Sequence, residues 1–303
     1  MNTEAKAFNK FSDVGLLDAG VQGGQRASKD PLEVELSFTG ILPIAKSTIS
    51  ETTGWDLPGH GKPYVDCGAI RFRGCLNVAD HHKALDRDQE GKAFVNAYKR
   101  SCGRKECPVC YESWASLEAG RVEFRLSYYA GKWKKPVHVS VNPSPELWGL
   151  SFLKLRSQAY RVLKRIGIVG GSMIYHPFRQ DESKEWLFSP HFHVIGYGWH
   201  RGFSIPGWVV RNHGVRKSVH STIMYQLSHA GVHPDYHTIT WFGELSYNKL
   251  KVPKLVEEKP KCPLCGAELV RLVFVGEGRV PPPDEGDYFL DACDWIGSFS
   301  RWV

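Results

Sequence analysis

GSMIYHPFRQ (171–180), DESKE (181–185) and WLFSPHFHVIGYGW (186–199) decide how this chain is read. The two outer stretches are rich in aromatic and β-branched residues, and the five between them are polar. That pattern predicts two antiparallel strands joined by a turn. His191 and His193 are two apart on the second strand, so both point to one face and Phe192 to the other. Two imidazoles on one face can chelate a divalent ion. With the turn centred on 181–185, His176 comes opposite His191, within reach as a third ligand. Glu182 and Glu185 are rivals for that place, but both fall in the turn.

Outward from the hairpin the texture stays regular. PVHVSVNP (136–143) alternates and reads as a strand. LWGLSFLKLRSQAYRVLKRIG (147–167) reads as an amphipathic helix stopped by glycine. GVRKSVHSTIMYQLSHAG (214–231) reads as a second such helix, and HTITWFGELS (237–246) as a last strand. The order is β-α-β-β-α-β. It implies an α+β fold, an antiparallel sheet with helices on one face. A further helix is expected upstream, over 111–127.

Tyr225 lies on the helix that follows the histidine strand, and His229 shares its face four residues on. His220 sits further round. A tyrosine hydroxyl, with a pKa of about 10, is a poor nucleophile at neutral pH. A metal that polarises a target phosphate compensates for this. Tyr236 and Tyr247 compete for the role. His229, His233 and His237 form a rival metal set.

Cys107-Pro-Val-Cys110 and Cys262-Pro-Leu-Cys265 are Cys-x-x-Cys knuckles, a pattern that suits structural zinc in a reducing compartment. Cys102, Cys107 and Cys110 with one of Cys67, Cys75, His81 or His82 make one candidate site. Cys262 and Cys265 with Cys293 and another group make a second. A rival assignment joins both knuckles in one four-cysteine ribbon. The chain then divides into a flexible arm (1–35), a cysteine-rich zinc-binding region (36–130), a histidine-bearing domain (131–250) and a C-terminal knuckle region (251–303).

With 303 residues, 42% hydrophobic and 23% charged, this is an ordinary globular composition. Net charge is +7, which permits a polyanionic partner without requiring one. No apolar run is long enough for a membrane span, and the first residues do not resemble a secretory signal. The expected location is cytoplasmic. No Walker-type phosphate loop is present.

SPHFHVIGYG resembles the His-hydrophobe-His motif of the HUH endonucleases. PVHVSVNP stands where their first strand motif does, and Tyr225 where their nucleophilic tyrosine does. SCGRKECPVCYESWASLEAGRV resembles the Cys-x4-Cys-Pro-x-Cys segment upstream of those motifs in plasmid rolling-circle Rep proteins. The likeness covers about residues 100–246 and is nearest to single-tyrosine Reps of archaeal plasmids or viruses. It implies a replication initiator that nicks and rejoins single-stranded origin DNA. Tyr225 would be the nucleophile, His229 its neighbour in catalysis, and Mn2+ or Mg2+ the ion on His191, His193 and His176. Zn2+ would sit at the cysteines, and host polymerase and helicase would be partners. Two departures stand out: His229 replaces the lysine common in bacterial Reps, and no second nucleophile for termination is evident. Lys164, Arg165, Arg179, Trp199, Arg201, Arg211, Arg216 and Lys217 are candidates to grip the strand. An HUH single-tyrosine transposase and a non-catalytic zinc-ribbon nucleic-acid-binding protein are the alternatives.

Overall fold

The computed structural model describes residues 53–81, 90–129, 135–198, 204–254 and 259–298, all within the unit Ile41–Val303. The expected arm at 1–35, His82, Trp199 and Arg201 lie outside the described residues. In chain order the strands are β1 (Ile70–Cys75), β2 (Lys92–Lys99), β3 (Val137–Pro143), β4 (Ile168–Gln180) and β5 (Trp186–Gly198). They continue with β6 (Trp208–Val215), β7 (Ile239–Gly243), β8 (Val270–Phe274), β9 (Gly286–Asp291) and β10 (Trp295–Gly297). The main helices are α1 (Tyr111–Tyr129), α2 (Phe152–Arg165) and α3 (Val219–Leu227). The fold is α+β, with two antiparallel sheets.

One sheet has the order β6-β3-β5-β4-β7. Its centre is the hairpin read from the sequence. β4 and β5 pair with His176 opposite His191 and Ile174 opposite His193. Their turn is closed by Asp181, whose Oδ1 accepts the Glu185 N–H at 2.8 Å. Phe192, Val194, Met173 and Tyr175 point away from the histidines and join Val139 and Val141 of β3 in a core. The apolar stripe of α2 (Leu155, Ala159, Val162, Leu163) covers them.

The expectation of helices on one face is corrected here, because α1 and α3 cover the opposite face. The reason lies in the histidine strand itself. Ile195 follows His193 on the same side and Ile174 stands opposite it, so that face is also apolar at its centre. Ala115, Ala119 and Val122 of α1 and Ile223 and Leu227 of α3 bury it.

Two boundaries move as well. WVVRNHGV (208–215) is a strand, which makes the observed order β-α-β-β-β-α-β. The helix expected from 214 begins only at Val219, where the Ser218 hydroxyl accepts the Ser221 N–H and caps it. The helix expected from 147 begins at Phe152, after a 3-10 turn over Pro145–Leu147.

The second sheet has the order β10-β8-β1-β2-β9. Its edge strands β9 and β10 are joined by only three residues, Ala292–Asp294. Four strand spacings of ~4.8 Å would separate the edges by about 19 Å in a flat sheet. Four Cα–Cα steps reach about 15 Å at most. The sheet must therefore curl, and it does so over Ala93, Val95, Leu272 and Trp295. Phe72 and Phe274 meet Trp295 edge-on, with centroids 4.9 and 5.2 Å away. Strands from before and after the histidine sheet thus interleave in one layer, although the sequence reading set 36–130 and 251–303 apart.

Candidate metal centres and the tyrosine helix

His176, His191 and His193 come together, each offering a nitrogen within 4.8 Å of the others. The ladder accounts for this: cross-strand pairing sets His176 beside His191, and alternation brings His193 to the same face. The Ser189 carbonyl accepts from His191 Nδ1 at 2.7 Å, which leaves Nε2 bare. A metal-binding histidine is usually held in this way. His176 is fully buried, and neither ring nitrogen makes a hydrogen bond of normal geometry. An orphaned buried ring is costly, and an ion would satisfy it. Burial holds the His191 imidazole down at about 4. Burial, then the neighbouring imidazoles, holds His176 and His193 well below the usual range. All three rings are neutral near pH 7, the form that ligates.

His229 stacks edge-on against His176, with centroids 4.4 Å apart, and Tyr225 lies against His229 at 4.9 Å. Tyr225 is 69% exposed, so its ring is open to a ligand while its helix is anchored by Ile223 and Leu227. The competing tyrosines are occupied elsewhere. Tyr236 stacks on Trp55 and packs against Phe152. Tyr247 lies under the Arg125 guanidinium. His220 stands on the α1 side of α3, its N–H donating to Glu123. Among the described residues, His229, His233 and His237 form no metal-capable group, and neither Glu182 nor Glu185 joins the histidines.

The sequence reading passed over two further histidines, His138 and His213. His138 Nε2 lies 2.8 Å from His193 Nδ1, and His213 stacks on His138 at 4.4 Å. Burial pushes the His138 imidazole down to about 3. The register of β3 against β5 places His138 on the His193 face; the alternation in VHVSVNP by itself shows only that His138 shares a side with Ser140.

The cysteines sort into two groups. Cys67, Cys102, Cys107 and Cys110 form one, and Cys75, His81, Cys262 and Cys265 the other. In the first, sulfur–sulfur distances run from 3.0 to 3.7 Å. Zinc–sulfur bonds of ~2.3 Å in a tetrahedron imply about 3.8 Å. In the second, Cys75 and Cys265 sulfurs are 3.6 Å apart, and His81 Nε2 is 3.3 Å from Cys262 Sγ. His81 Nδ1 lies 3.1 Å from the Lys92 carbonyl, which can accept its proton. Both groups can hold a zinc-like ion.

Crowding of the sulfurs shows in their acidities. The adjacent Cys110 thiol, with burial, pushes Cys67 up to about 12. Burial raises Cys102, but hydrogen bonds from Arg104 and from the neighbouring thiols outweigh it and bring it down to about 6. A cation would relieve this competition.

Three expectations are corrected by this geometry. Cys75 belongs with the second knuckle, not the first. Cys293 belongs to neither group; it is exposed beside Asp294. The single ribbon joining both knuckles does not form, because each knuckle closes on its own pair of ligands.

Of the basic residues, Arg179 lies near Arg211, which is exposed. Burial, then Arg211, lowers the Arg179 guanidinium, and Arg179 donates to Asn142 Oδ1 at 3.2 Å. Its charge also reaches His191. Arg216 reaches His138, and Lys217 lies exposed just before α3. Lys164 and Arg165 end α2, on the far face of the sheet from the histidines. Comparison of the chain with protein-family models, curated proteins and solved structures finds no match.

Proposed function

We propose that the chain is a metal-dependent single-stranded DNA endonuclease and strand transferase of the HUH class, acting as a rolling-circle replication initiator. The observation that carries the reading is one contact chain. Exposed Tyr225 touches His229, His229 touches buried His176, and His176 shares a ligand cluster with His191 and His193. An exposed tyrosine on an anchored helix, one imidazole away from a cluster able to hold a divalent ion, supports phosphoryl transfer to that tyrosine as the reading.

His176, His191 and His193 would hold Mn2+ or Mg2+, which when bound draws charge from phosphate oxygens. The chain's own residues do the rest. The Tyr225 hydroxyl attacks phosphorus, the bond to the 3′ oxygen breaks, and that oxygen leaves as a free 3′-OH. The 5′ end stays on Tyr225 as a phosphodiester, so rejoining needs no ATP. His229 is placed to orient the Tyr225 ring. Arg179 and Arg211 offer charge for the DNA backbone. Both cysteine groups would hold Zn2+ in structural sites. Host polymerase and helicase would act on the freed end.

The test mixes the full chain with Mn2+ and labelled single-stranded origin DNA, then looks for a denaturant-resistant protein–DNA band. The reading expects a band that disappears with chelator and in His191→Ala. No band on a cognate origin would favour a non-catalytic zinc-bearing nucleic-acid-binding protein instead.

A further inference from the structure

We propose that His138 is the positioning residue that ties the metal-ligand set to the tyrosine helix. This rests on the metal reading above and deepens it. His138 sits on β3, 7% exposed. Its Nε2 is 2.8 Å from His193 Nδ1 on β5 and 3.0 Å from the Gln226 side-chain amide on α3. Its Nδ1 is 3.0 Å from a guanidinium nitrogen of Arg216, the residue that follows β6. Strand β5, helix α3 and the end of β6 therefore meet at one ring. Gln226 is next to Tyr225 and is itself buried, so its amide fixes the helix from within.

A second ion on His138, His193 and His213 is the competing explanation, since their nitrogens also lie within 4.8 Å of one another. Two contacts argue against it. Arg216 sets a permanent positive charge against His138, and no carboxylate in the group offsets it. His213 Nε2 is already engaged by the Ser140 hydroxyl at 2.9 Å.

Proton placement sharpens the role. A neutral imidazole has one N–H and one bare nitrogen. For His193 to present Nε2 to an ion, its Nδ1 keeps the proton and donates to His138 Nε2. The Gln226 amide, as it is placed, shares that nitrogen's single lone pair as the longer of the two contacts. His138 then carries its own proton on Nδ1, facing Arg216, which can only donate. His138 cannot accept on both sides. Ligation by His193 therefore exchanges the Arg216 contact for the His193 contact inside the site, with no net gain or loss of protons by the pair of rings.

The test uses the full, zinc-replete chain. Mn2+ affinity is measured by calorimetry and the rate of DNA adduct formation in parallel. His138→Leu should weaken Mn2+ binding by about 10- to 100-fold, as loss of a ligand's hydrogen-bond partner does. His138→Gln, whose amide oxygen can accept from His193, should recover most of it. Gln226→Leu should leave Mn2+ affinity unchanged and slow the adduct, because it cuts only the helix arm. Bound zinc, unchanged across the set, reports that each variant folds. Mn2+ binding by His138→Leu equal to the parent's overturns the proposal while the metal reading stands. Equal losses of affinity in Gln226→Leu and His138→Leu also overturn it, since the two arms would not be separable. A parent chain that fails to bind Mn2+ removes the metal reading, and this proposal with it.

Discussion

His176 stands directly opposite His191 across the β4–β5 ladder, with ring centroids 5.1 Å apart and both nitrogens of His176 unpartnered in the interior. Such a ring stabilises the protein only when something binds it. His176→Leu should therefore have opposite effects on two measurements. Without Mn2+ the variant should match or exceed the parent in stability, by up to ~1–3 kcal/mol, the cost of a buried unsatisfied polar group. Stabilisation by added Mn2+ should vanish. Thermal unfolding of the zinc-replete protein with and without Mn2+ reads both.

The two cysteine groups predict two zinc ions per chain, held independently. Cys110→Ser should lose one and Cys262→Ser the other, whereas Cys293→Ser should keep both, since it lies in neither group. Native mass spectrometry counts the ions. The Cys110 variant should be the more damaging to the histidine face of the sheet, because α1 starts at the next residue and packs on α3 there.

Burial lowers His138 to about 3 and His191 to about 4, against an ordinary value of 6.5. A histidine whose folded pKa is lowered binds its proton more readily in the unfolded chain. Its neutral, buried form is fully compatible with folding above pH 6.5. Stability then falls as pH drops below 6.5, until the folded pKa is reached. Each group contributes a slope of up to ~1.4 kcal/mol per pH unit. Denaturant midpoints of the Mn2+-free protein should fall from about pH 6.5 down to about pH 4, where His191 is protonated in the folded chain, and more gently from there to about pH 3. A flat profile would mean that these rings are solvated.

Phe192 tests the strand alternation that sets the site. It is fully buried between the two histidines and points into the opposite core. Phe192→Ala should cost about 3–5 kcal/mol, measured by denaturant unfolding, with Mn2+ affinity nearly unchanged in the folded fraction.

The legible parts of the molecule were those whose pattern is local. The hairpin over 171–198 and the side shared by His176, His191 and His193 follow from period-two alternation and a polar turn, and the glycine-stopped helix before it follows from an apolar stripe at helical spacing. What escaped depended on partners distant in sequence. β6 has a polar, exposed outer edge, so WVVRNHGV lacks the apolar stripe of a core strand. The second metal-capable group joins Cys75 and His81 to a knuckle nearly two hundred residues later, and knuckle spacing carries no information about that pairing. Helices on both faces follow from Ile174 and Ile195 sharing the histidine side, which becomes apparent only with the register in hand. His138 lay in a strand already identified, but a lone histidine there acquires meaning only from its contacts with His193 and Gln226.

The central claim is that Tyr225 is the residue joined to DNA. The most direct measurement is mass-spectrometric mapping of the covalent adduct after protease and nuclease digestion. The account predicts a nucleotide on the peptide containing Tyr225, and no adduct in Tyr225→Phe. A nucleotide on Tyr236 or Tyr247, or an adduct that persists in Tyr225→Phe, would contradict it.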